Sequence, residues 1–356
     1  MVNNWQTIIE QTLQGRRLQD EEALELLTRG DLPALGQAAD TIRQRKHPQP
    51  YTTFIVDRNI NYTNVCKSQC KFCAFYRLAG ATDAYVLDTA ELHQKIADTI
   101  AAGGTQIMLQ GGLHPELRLD YFENLLRGIK AKFAITIHSF SPAEIVHLAG
   151  QAGITIRETL SRLRAAGLDS LPGGGAEILD DTVRQRVSPL KISVKQWLKV
   201  METAQQLGMG TTATMVIGMQ ETYRQRLNHF RVIRELQDRT GGFRAFIMWT
   251  FQPGNTELGG TKASAWDYLR TLAVARLYLD NIPHLQGSWV TQGQSVGQLT
   301  LAFGADDLGS IMLEENVVRA AGTAYQMSVD KMVALIRATG KIPAQRNTEY
   351  EILKTF

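Results

Sequence analysis

The stretch TFIVDRNINYTNVCKSQCKFC, residues 53–73, decides how the rest of the chain is interpreted. It begins with an apolar, β-branched run, which is typical of a buried strand. A polar loop follows and holds Cys66, Cys70 and Cys73, the three cysteines of the 356-residue chain. We therefore predict that a strand positions three thiols together in one loop.

On either side of this stretch the pattern indicates repeated units. After residue 53, short apolar runs alternate with amphipathic helical stretches, which is the signature of βα units. We predict strands at residues 53–59, 105–112, 133–140, 168–175, 211–218, 243–251, 284–290 and 299–307. Eight such units over roughly 250 residues predict an α/β fold, a (β/α)8 barrel of TIM type. Because the last two runs are less regular, a partial barrel of six strands is the alternative.

The domain organisation follows from the same pattern. Residues 1–50 have helical spacing of apolar side chains and predict an N-terminal helical extension. Residues 51–356 are predicted to form the barrel together with a C-terminal helical cap. In a barrel, the polar and Gly-rich segments that follow the strands meet at the carboxyl end, where active sites lie.

Composition excludes several classes of function. The net charge is +3 and the pI is about 8.7, without the clustered Lys and Arg of a nucleic-acid-binding surface. No segment approaches the roughly 20 apolar residues that cross a membrane, and the first residues lack the pattern of a signal peptide. We therefore expect a cytoplasmic protein with reduced thiols and no nucleic-acid or membrane partner.

The cysteine spacing, C-x3-C-x2-C, favours a metal centre. Thiolates suit zinc or iron–sulfur clusters, but structural zinc and electron-carrier clusters take four ligands. Three thiolates would leave one iron of a four-iron cluster open for chemistry. Buried structural cysteines are the simpler alternative, although that does not explain why all three lie in one polar loop. A non-catalytic iron–sulfur protein is a further alternative.

The cysteine motif resembles that of the radical S-adenosylmethionine (SAM) enzymes. The resemblance implies that Cys66, Cys70 and Cys73 bind a [4Fe–4S] cluster whose open iron chelates SAM, and that an external flavodoxin- or ferredoxin-type protein supplies the electron. By their positions in similar motifs, further residues are expected to contact the cofactor: Phe72, Gly111, Gly112, Glu177, Gly218 and Glu221.

Stretches such as GLDSLPGGGAEIL and IPAQRNTEY look like the menaquinone-pathway subgroup of that family, which acts on futalosine-type nucleosides. The similarity runs from about residue 20 onward, and it is greatest to the enzymes that cyclise dehypoxanthine futalosine. That resemblance implies hydrogen abstraction at ribose C4′ and ring closure on the benzoate. Aminofutalosine synthase and the deazaflavin (F0) synthase halves are alternatives within the same chemistry.

Location relative to the predicted strands gives candidates for the remaining roles. The residues predicted to bind this small-molecule substrate are Arg58, Asn61, Arg77, His138, Ser139, Gln252 and Asn255. Arg58 and Arg77 are candidates for the substrate carboxylate, because a forked guanidinium is its natural partner. Asp306 and Glu314 are candidates for accepting the final proton.

Overall fold

A computed structural model describes residues 4–356. Its helices are α1 (Trp5–Leu13), α2 (Asp20–Arg29), α3 (Leu32–Lys46), α4 (Thr89–Ala101), α5 (Leu119–Lys132), α6 (Pro142–Ala152), α7 (Ile156–Ala166), α8 (Asp181–Val187), α9 (Val194–Gln206), α10 (Tyr223–Thr240), α11 (Ala265–Tyr278), α12 (Gln294–Leu299), α13 (Val317–Ala320) and α14 (Val329–Arg337). Its strands are β1 (Tyr51–Ile55), β2 (Asp57–Ile60), β3 (Gln106–Leu109), β4 (Thr136–Ile137), β5 (Thr211–Ile217), β6 (Phe243–Thr250), β7 (His284–Gln286), β8 (Asp307–Ser310), β9 (Ile342–Arg346) and β10 (Ile352–Thr355).

The strands close into the expected (β/α)8 barrel. β1 and β2 are two halves of one strand position, interrupted only at Val56; β2 pairs with β3, and β3 with β4. Isolated bridges at Ser170 and Leu171 supply the fourth position, between β4 and β5. β5, β6, β7 and β8 then pair in order, and β8 returns to β1, all in parallel. The barrel is therefore closed, and the six-strand alternative is wrong.

Two of the predicted strands differ from the observed ones. The run at 168–175 contributes only the two bridge residues, because three successive glycines offer no side chains to pack in a strand. The run at 299–307 is wrong, since Thr300–Ala302 form a 3₁₀ turn and the strand begins only at Asp307.

The N-terminal helices are not an independent unit. α2 and α3 pack on the barrel helices α10 and α11, and one continuous hydrophobic core joins Leu26 and Leu35 to Phe54. Residues 1–3 of the predicted extension lie outside the described part of the chain. In the described residues no helix is both long and apolar enough to span a bilayer.

The C-terminal segment contains helices, as predicted, in α13 and α14, and it adds two strands that the sequence did not predict. After α14 the chain forms β9, which pairs in parallel with β1, and β10, which pairs antiparallel with β9. β1 is therefore hydrogen-bonded to β9, whereas β2 is hydrogen-bonded to β3. The run Ile342–Arg346 contains Pro343, which disfavours a helix interior, and it pairs with β1.

Candidate active site

The cysteine loop begins directly after β2 and is fixed at both ends. A bridge pairs Val65 with Arg77, and the Cys66 amide donates to the Arg77 carbonyl at 2.9 Å. The Arg77 guanidinium donates to the carbonyls of residues 74, 75 and 76 and forms an ion pair with Asp83 at 2.6 Å. The predicted substrate ligand Arg77 therefore makes its described contacts within the loop itself.

Burial opposes ionisation of the thiols of Cys70 and Cys73. Cys70 is buried, and Cys66 and Cys73 are partly exposed. Burial raises the pKa of Cys70 to about 12 and also raises that of Cys73, whereas the nearby ammonium of Lys191 acts in the opposite direction on both. A bound metal would supply the positive charge that such thiolates need.

The arrangement of the thiols fits a cluster better than a single ion. Within residues 4–356, one group of His, Cys, Asp or Glu ligand atoms converges within 4.8 Å, and it does not include the cysteines. Thiolates that ligate one zinc must all converge on it, whereas those of an iron–sulfur cluster bind separate irons. Three soft thiolates on one loop are thus a donor set that fits an iron–sulfur cluster with one iron left open.

A charged pair lies beside the thiols. The Lys191 ammonium is 2.9 Å from Glu177 Oε1 and 5.4 Å from the centre of the Phe72 ring. Although burial opposes it, Glu177 raises the pKa of Lys191, so the ammonium stays charged. The buried Glu177 Oε2 has no hydrogen-bond partner in the described protein, and its backbone φ of 42° is unusual for a residue with a side chain. Sequence reasoning missed Lys191, because no spacing links it to the cysteines.

Gly111 and Gly112 allow the loop after β3 to lie against the cysteine loop. A Cβ on Gly112 would lie 2.1 Å from the Val65 carbonyl oxygen, and one on Gly111 would lie 2.5 Å from the Tyr62 ring. Contact within the protein is therefore enough to require both glycines. Their contact with the methionine part of SAM remains a prediction.

A carboxylate that sequence reasoning missed supports the same loop. Glu144, at the start of α6, is buried and accepts hydrogen bonds from Tyr62 Oη at 2.7 Å, from Ser141 Oγ at 2.6 Å and from the Gly111 amide at 3.2 Å. Burial raises the pKa of Glu144 to about 7. Its sequence context predicts only the first turn of a helix, so nothing in the sequence indicates this role.

The loop after β5 is closed by Glu221. Its carboxylate accepts from the amides of Gly218 at 2.9 Å and Met219 at 2.7 Å, and it pairs with Arg226 at 2.8 Å. The Glu221 side chain is fully buried. Both oxygens are thus engaged in holding the loop, and the predicted contacts of Gly218 and Glu221 with the cofactor remain proposals.

Four predicted substrate ligands are used largely inside the fold. His138 Nδ1 lies 2.7 Å from Ser170 Oγ, and burial lowers the pKa of His138 well below its ordinary value. Ser139 Oγ accepts from the Leu109 amide at 2.8 Å. The remaining two fix the segment that covers the barrel mouth: Gln252 accepts from Thr323 at 3.1 Å, and Asn255 donates to the Ala320 carbonyl at 2.9 Å.

The structure brings Arg58, Asn61 and Glu314 together at the mouth. Arg58 Nη1 is 3.1 Å from Glu314 Oε2, and Lys95 Nζ is 3.0 Å from the same oxygen. Asn316 donates both to Glu314 at 2.8 Å and to Asn61 at 3.2 Å. This group borders a cavity of about 320 Å³, which is large enough for a small organic ligand.

Asp306 lies elsewhere. It precedes β8, at the amino end of the strands, whereas the cysteine loop follows the carboxyl end of β2. Its carboxylate pairs with the buried Arg276 and accepts from His284 Nδ1 at 2.6 Å; burial would raise its pKa, but Arg276 and the histidines hold it below the usual range. This position does not support the predicted proton transfer.

His47, His284 and Asp306 form the one converging group of possible metal ligands in the described residues. The histidines are already hydrogen-bonded, His47 to the Pro283 carbonyl at 2.9 Å and His284 to Asp306. The guanidinium of Arg276 beside them disfavours a further cation. We interpret this group as a buried charge network.

A closed parallel barrel with three thiols in the loop after its first strand position defines an enzyme class, the radical SAM enzymes. Residues 60–233 match the model of the Radical SAM superfamily, and residues 240–356 match the CofH/MqnC C-terminal region. The chain is 49% identical to a cyclic dehypoxanthine futalosine synthase from Halalkalibacterium halodurans, over 98% of this chain and 95% of that protein. It is 47% identical to an enzyme of the same name from Streptomyces coelicolor, over 98% of this chain and 88% of that one.

The chain therefore belongs to the radical SAM superfamily, in the group that carries the CofH/MqnC C-terminal region. Among solved structures, that of methylornithine synthase covers 95% of this chain and 97% of its own, with a TM-score of 0.75 and 19% identity. At that identity the likeness concerns the fold alone. The family's cofactors are a [4Fe–4S] cluster and SAM, and the enzyme acts on a small molecule.

Proposed function

We propose that this enzyme converts dehypoxanthine futalosine to its cyclic product in menaquinone biosynthesis. The observation that carries the proposal is near half identity, over almost the whole chain, to an enzyme named for this product. That identity spans both the cysteine loop and the segment that encloses the mouth cavity. A non-catalytic iron–sulfur protein would not need such a cavity at the mouth of its barrel.

Each group of residues in the site has its own proposed role. Cys66, Cys70 and Cys73 would hold the cluster, and the chemistry of the bound pair is reductive cleavage of SAM to methionine and a 5′-deoxyadenosyl radical. Phe72, Glu177 and Lys191 lie around the thiols and are proposed to orient SAM there. Closure of the mouth by the segment after β8 keeps water from the reacting carbon.

Glu314 is the proposed acceptor of the proton that the ring radical loses after C4′ has closed onto the benzoate; the electron lost with that proton would return to the oxidised cluster that Cys66, Cys70 and Cys73 would hold. Its carboxylate is held by Arg58, Lys95 and Asn316 next to the cavity, so it is fixed in place without being fully enclosed. Asn61 and Asn316, which are hydrogen-bonded to each other, are proposed to contact the ribose hydroxyls.

The electron must come from outside the chain, and we propose a flavodoxin- or ferredoxin-type donor. A cytoplasmic location is proposed because three reduced, clustered thiols suit a reducing compartment.

The test is an anaerobic assay of the reconstituted protein with SAM, a chemical reductant and dehypoxanthine futalosine, followed by mass spectrometry. We expect substrate to be lost and a product lacking two hydrogen atoms to form, with 5′-deoxyadenosine in step. A parallel reaction contains the substrate of aminofutalosine synthase instead. Turnover of that compound, with dehypoxanthine futalosine untouched, would replace our assignment with the alternative.

A further inference from the structure

The mouth cavity is lined by a charged side chain, Arg319, that has no ion pair within the described residues. Its walls come from the segment after β7, which includes Trp289, and from residues 312–327, which include Glu314 and Arg319. Asn316 links it to Asn61, the residue that follows β2 and precedes the cysteine loop. A ligand in this cavity therefore lies between the cluster loop and Arg319.

The charges around the cavity are unbalanced. Glu314 is shared by two cations, Arg58 and Lys95. Glu315 also lines the cavity, and its Oε1 accepts a hydrogen bond from the Val318 amide at 2.7 Å. Arg319 lines the same cavity, is exposed, and has no salt bridge or side-chain hydrogen bond within residues 4–356. Arg319 is thus a cation of the cavity wall that is available to an anionic group of a ligand.

The two arginines that the sequence suggested for a carboxylate are already engaged. Arg58 is paired with Glu314, and Arg77 is bound to Asp83 and to carbonyls of its own loop. A guanidinium can hold a carboxylate through two parallel hydrogen bonds, and this geometry needs an arginine whose fork is free. Of the three, Arg319 meets that requirement.

We propose that Arg319 binds the carboxylate of the substrate's benzoate group. The inference rests on the proposed function and adds an orientation to it. With the carboxylate at Arg319, the ribose end of the substrate extends toward Asn316 and Asn61, the residue that follows β2 before the cysteine loop. Arg319 is then a specificity residue that selects benzoate-bearing ribose derivatives and sets which end of the substrate faces SAM.

The first experiment measures equilibrium binding of dehypoxanthine futalosine to the reconstituted enzyme with SAM and without reductant, by calorimetry. Because hydrogen bonds between charged groups contribute about 1.5–3 kcal/mol, Arg319→Gln is expected to weaken binding by roughly 10- to 100-fold. Arg319→Lys, which keeps the charge but loses the fork, should lie between the two. The matched control is Arg157→Gln, an exposed arginine on α7, which should bind like wild type.

The second experiment repeats these measurements with an analogue whose benzoate is replaced by the carboxamide. Wild type should bind the carboxamide about as weakly as Arg319→Gln binds the natural substrate, and Arg319→Gln should bind both compounds equally. If Arg319→Gln still discriminates between carboxylate and carboxamide, another group holds the carboxylate and the assignment is wrong. Equal binding of the two compounds by wild type also overturns it.

The experiments distinguish failure of the proposed function from failure of the Arg319 assignment. If wild type converts dehypoxanthine futalosine but Arg319→Gln binds it as tightly, only the carboxylate assignment fails. If wild type neither binds nor converts that substrate, the proposed function fails and this assignment fails with it. Iron content and circular dichroism of each variant establish that the folded, loaded enzyme is being compared.

Discussion

Asp306 and Glu314 lie beyond opposite ends of the same short strand, β8, and their surroundings differ. Asp306, at the amino end, is fully enclosed with Arg276, His284 and a backbone amide. Glu314, at the carboxyl end, is partly open to a cavity and has two cations around it. At the amino end of the strands, the floor of the barrel, charged groups are buried and paired within the fold. At the carboxyl end, the mouth, they border a cavity that a ligand could occupy.

The adjacent residue Asp307 makes the contrast stronger. It is fully buried at the floor and accepts from Thr53 at 2.6 Å, from Arg346 at 2.6 Å and from the Gly309 amide at 2.7 Å. Glu314 also accepts several hydrogen bonds, but it borders a cavity that a ligand could enter, whereas Asp306 and Asp307 are buried at the amino end of the strand. Residue type alone therefore does not identify a catalytic acid or base; its position beside an accessible cavity is also needed.

The largest expected effect is at the mouth, from Cys70→Ala. Loss of one thiolate should abolish cluster binding and with it all turnover, as measured by iron and sulfide content and by product formation. Ser68→Ala is the matched control, because Ser68 is buried in the same loop and its hydroxyl has no hydrogen-bond partner in the described protein. A Cys70→Ala protein that keeps full iron content and cleaves SAM would remove the basis of the assignment.

At the floor, Asp306→Asn should affect stability rather than chemistry. It leaves Arg276 buried without its counter-charge, for which the cost is typically about 3–5 kcal/mol. Urea unfolding measures the loss, and Asp330→Asn on the exposed face of α14 is the control. Turnover per loaded site should stay at the wild-type level. A variant of normal stability but lost turnover would mean that the floor takes part in the chemistry.

Glu144 supports a loop near the mouth of the barrel, but it is as buried as the carboxylates at the floor. Its pKa of about 7 is above the value of about 4.3 for an exposed Glu, so between these pH values the folded state binds a proton that the unfolded state does not. Stability should therefore fall as pH rises from about 4 to 7, by roughly 3–4 kcal/mol from this group.

In Glu144→Gln this part of the pH dependence should disappear, as followed by urea unfolding from pH 5 to pH 8. Glu116→Gln, at an exposed position, should keep the wild-type profile. If wild type and Glu144→Gln show the same pH profile, the burial argument for Glu144 is wrong.

The smallest effect is expected from Glu314→Gln. Deoxyadenosine formation should remain normal while cyclised product falls by about 10-fold or more, because a charged acceptor is replaced by a neutral one. Stability should fall by less than in Asp306→Asn, since the side chains of Arg58 and Lys95 are 17% and 22% exposed and keep some contact with water, whereas that of Arg276 is 2% exposed. Glu91→Gln removes the weaker partner of Lys95, at 4.0 Å, and should leave turnover unchanged.

The parts of the fold that the sequence predicts best are those with local patterns. β5 and β6 are runs of mostly buried, β-branched or aromatic residues, and both lie within a residue or two of the predicted bounds. The cysteine loop was also predicted from a local pattern, because its three cysteines lie within eight residues. β8 was misplaced because its strand of four residues carries Asp, Gly and Ser and resembles a turn.

The contacts of the site were less predictable, for a physical reason. Lys95 and Glu314 are separated by 219 positions, and Arg276 lies on helix α11 whereas Asp306 precedes strand β8, so these two meet only at the barrel floor. Spacing in sequence carries no information on such pairs. The sequence therefore suggests Asp306 and Glu314 equally as proton acceptors. Only the folded barrel shows that they lie beyond opposite ends of β8.

The division of the first strand position has a consequence for how the chain is made. Residues 52–54 of β1 pair with residues 343–345 of β9, nearly 300 residues later, whereas β2 pairs with β3 only about 50 residues away. During synthesis, the half that leads into the cysteine loop can find its neighbour early. The other half waits until β8 and β9 have left the ribosome, and such long-range parallel pairing is slow. A chaperone that shields the exposed edge of β1 in that interval would protect the nascent chain from aggregation.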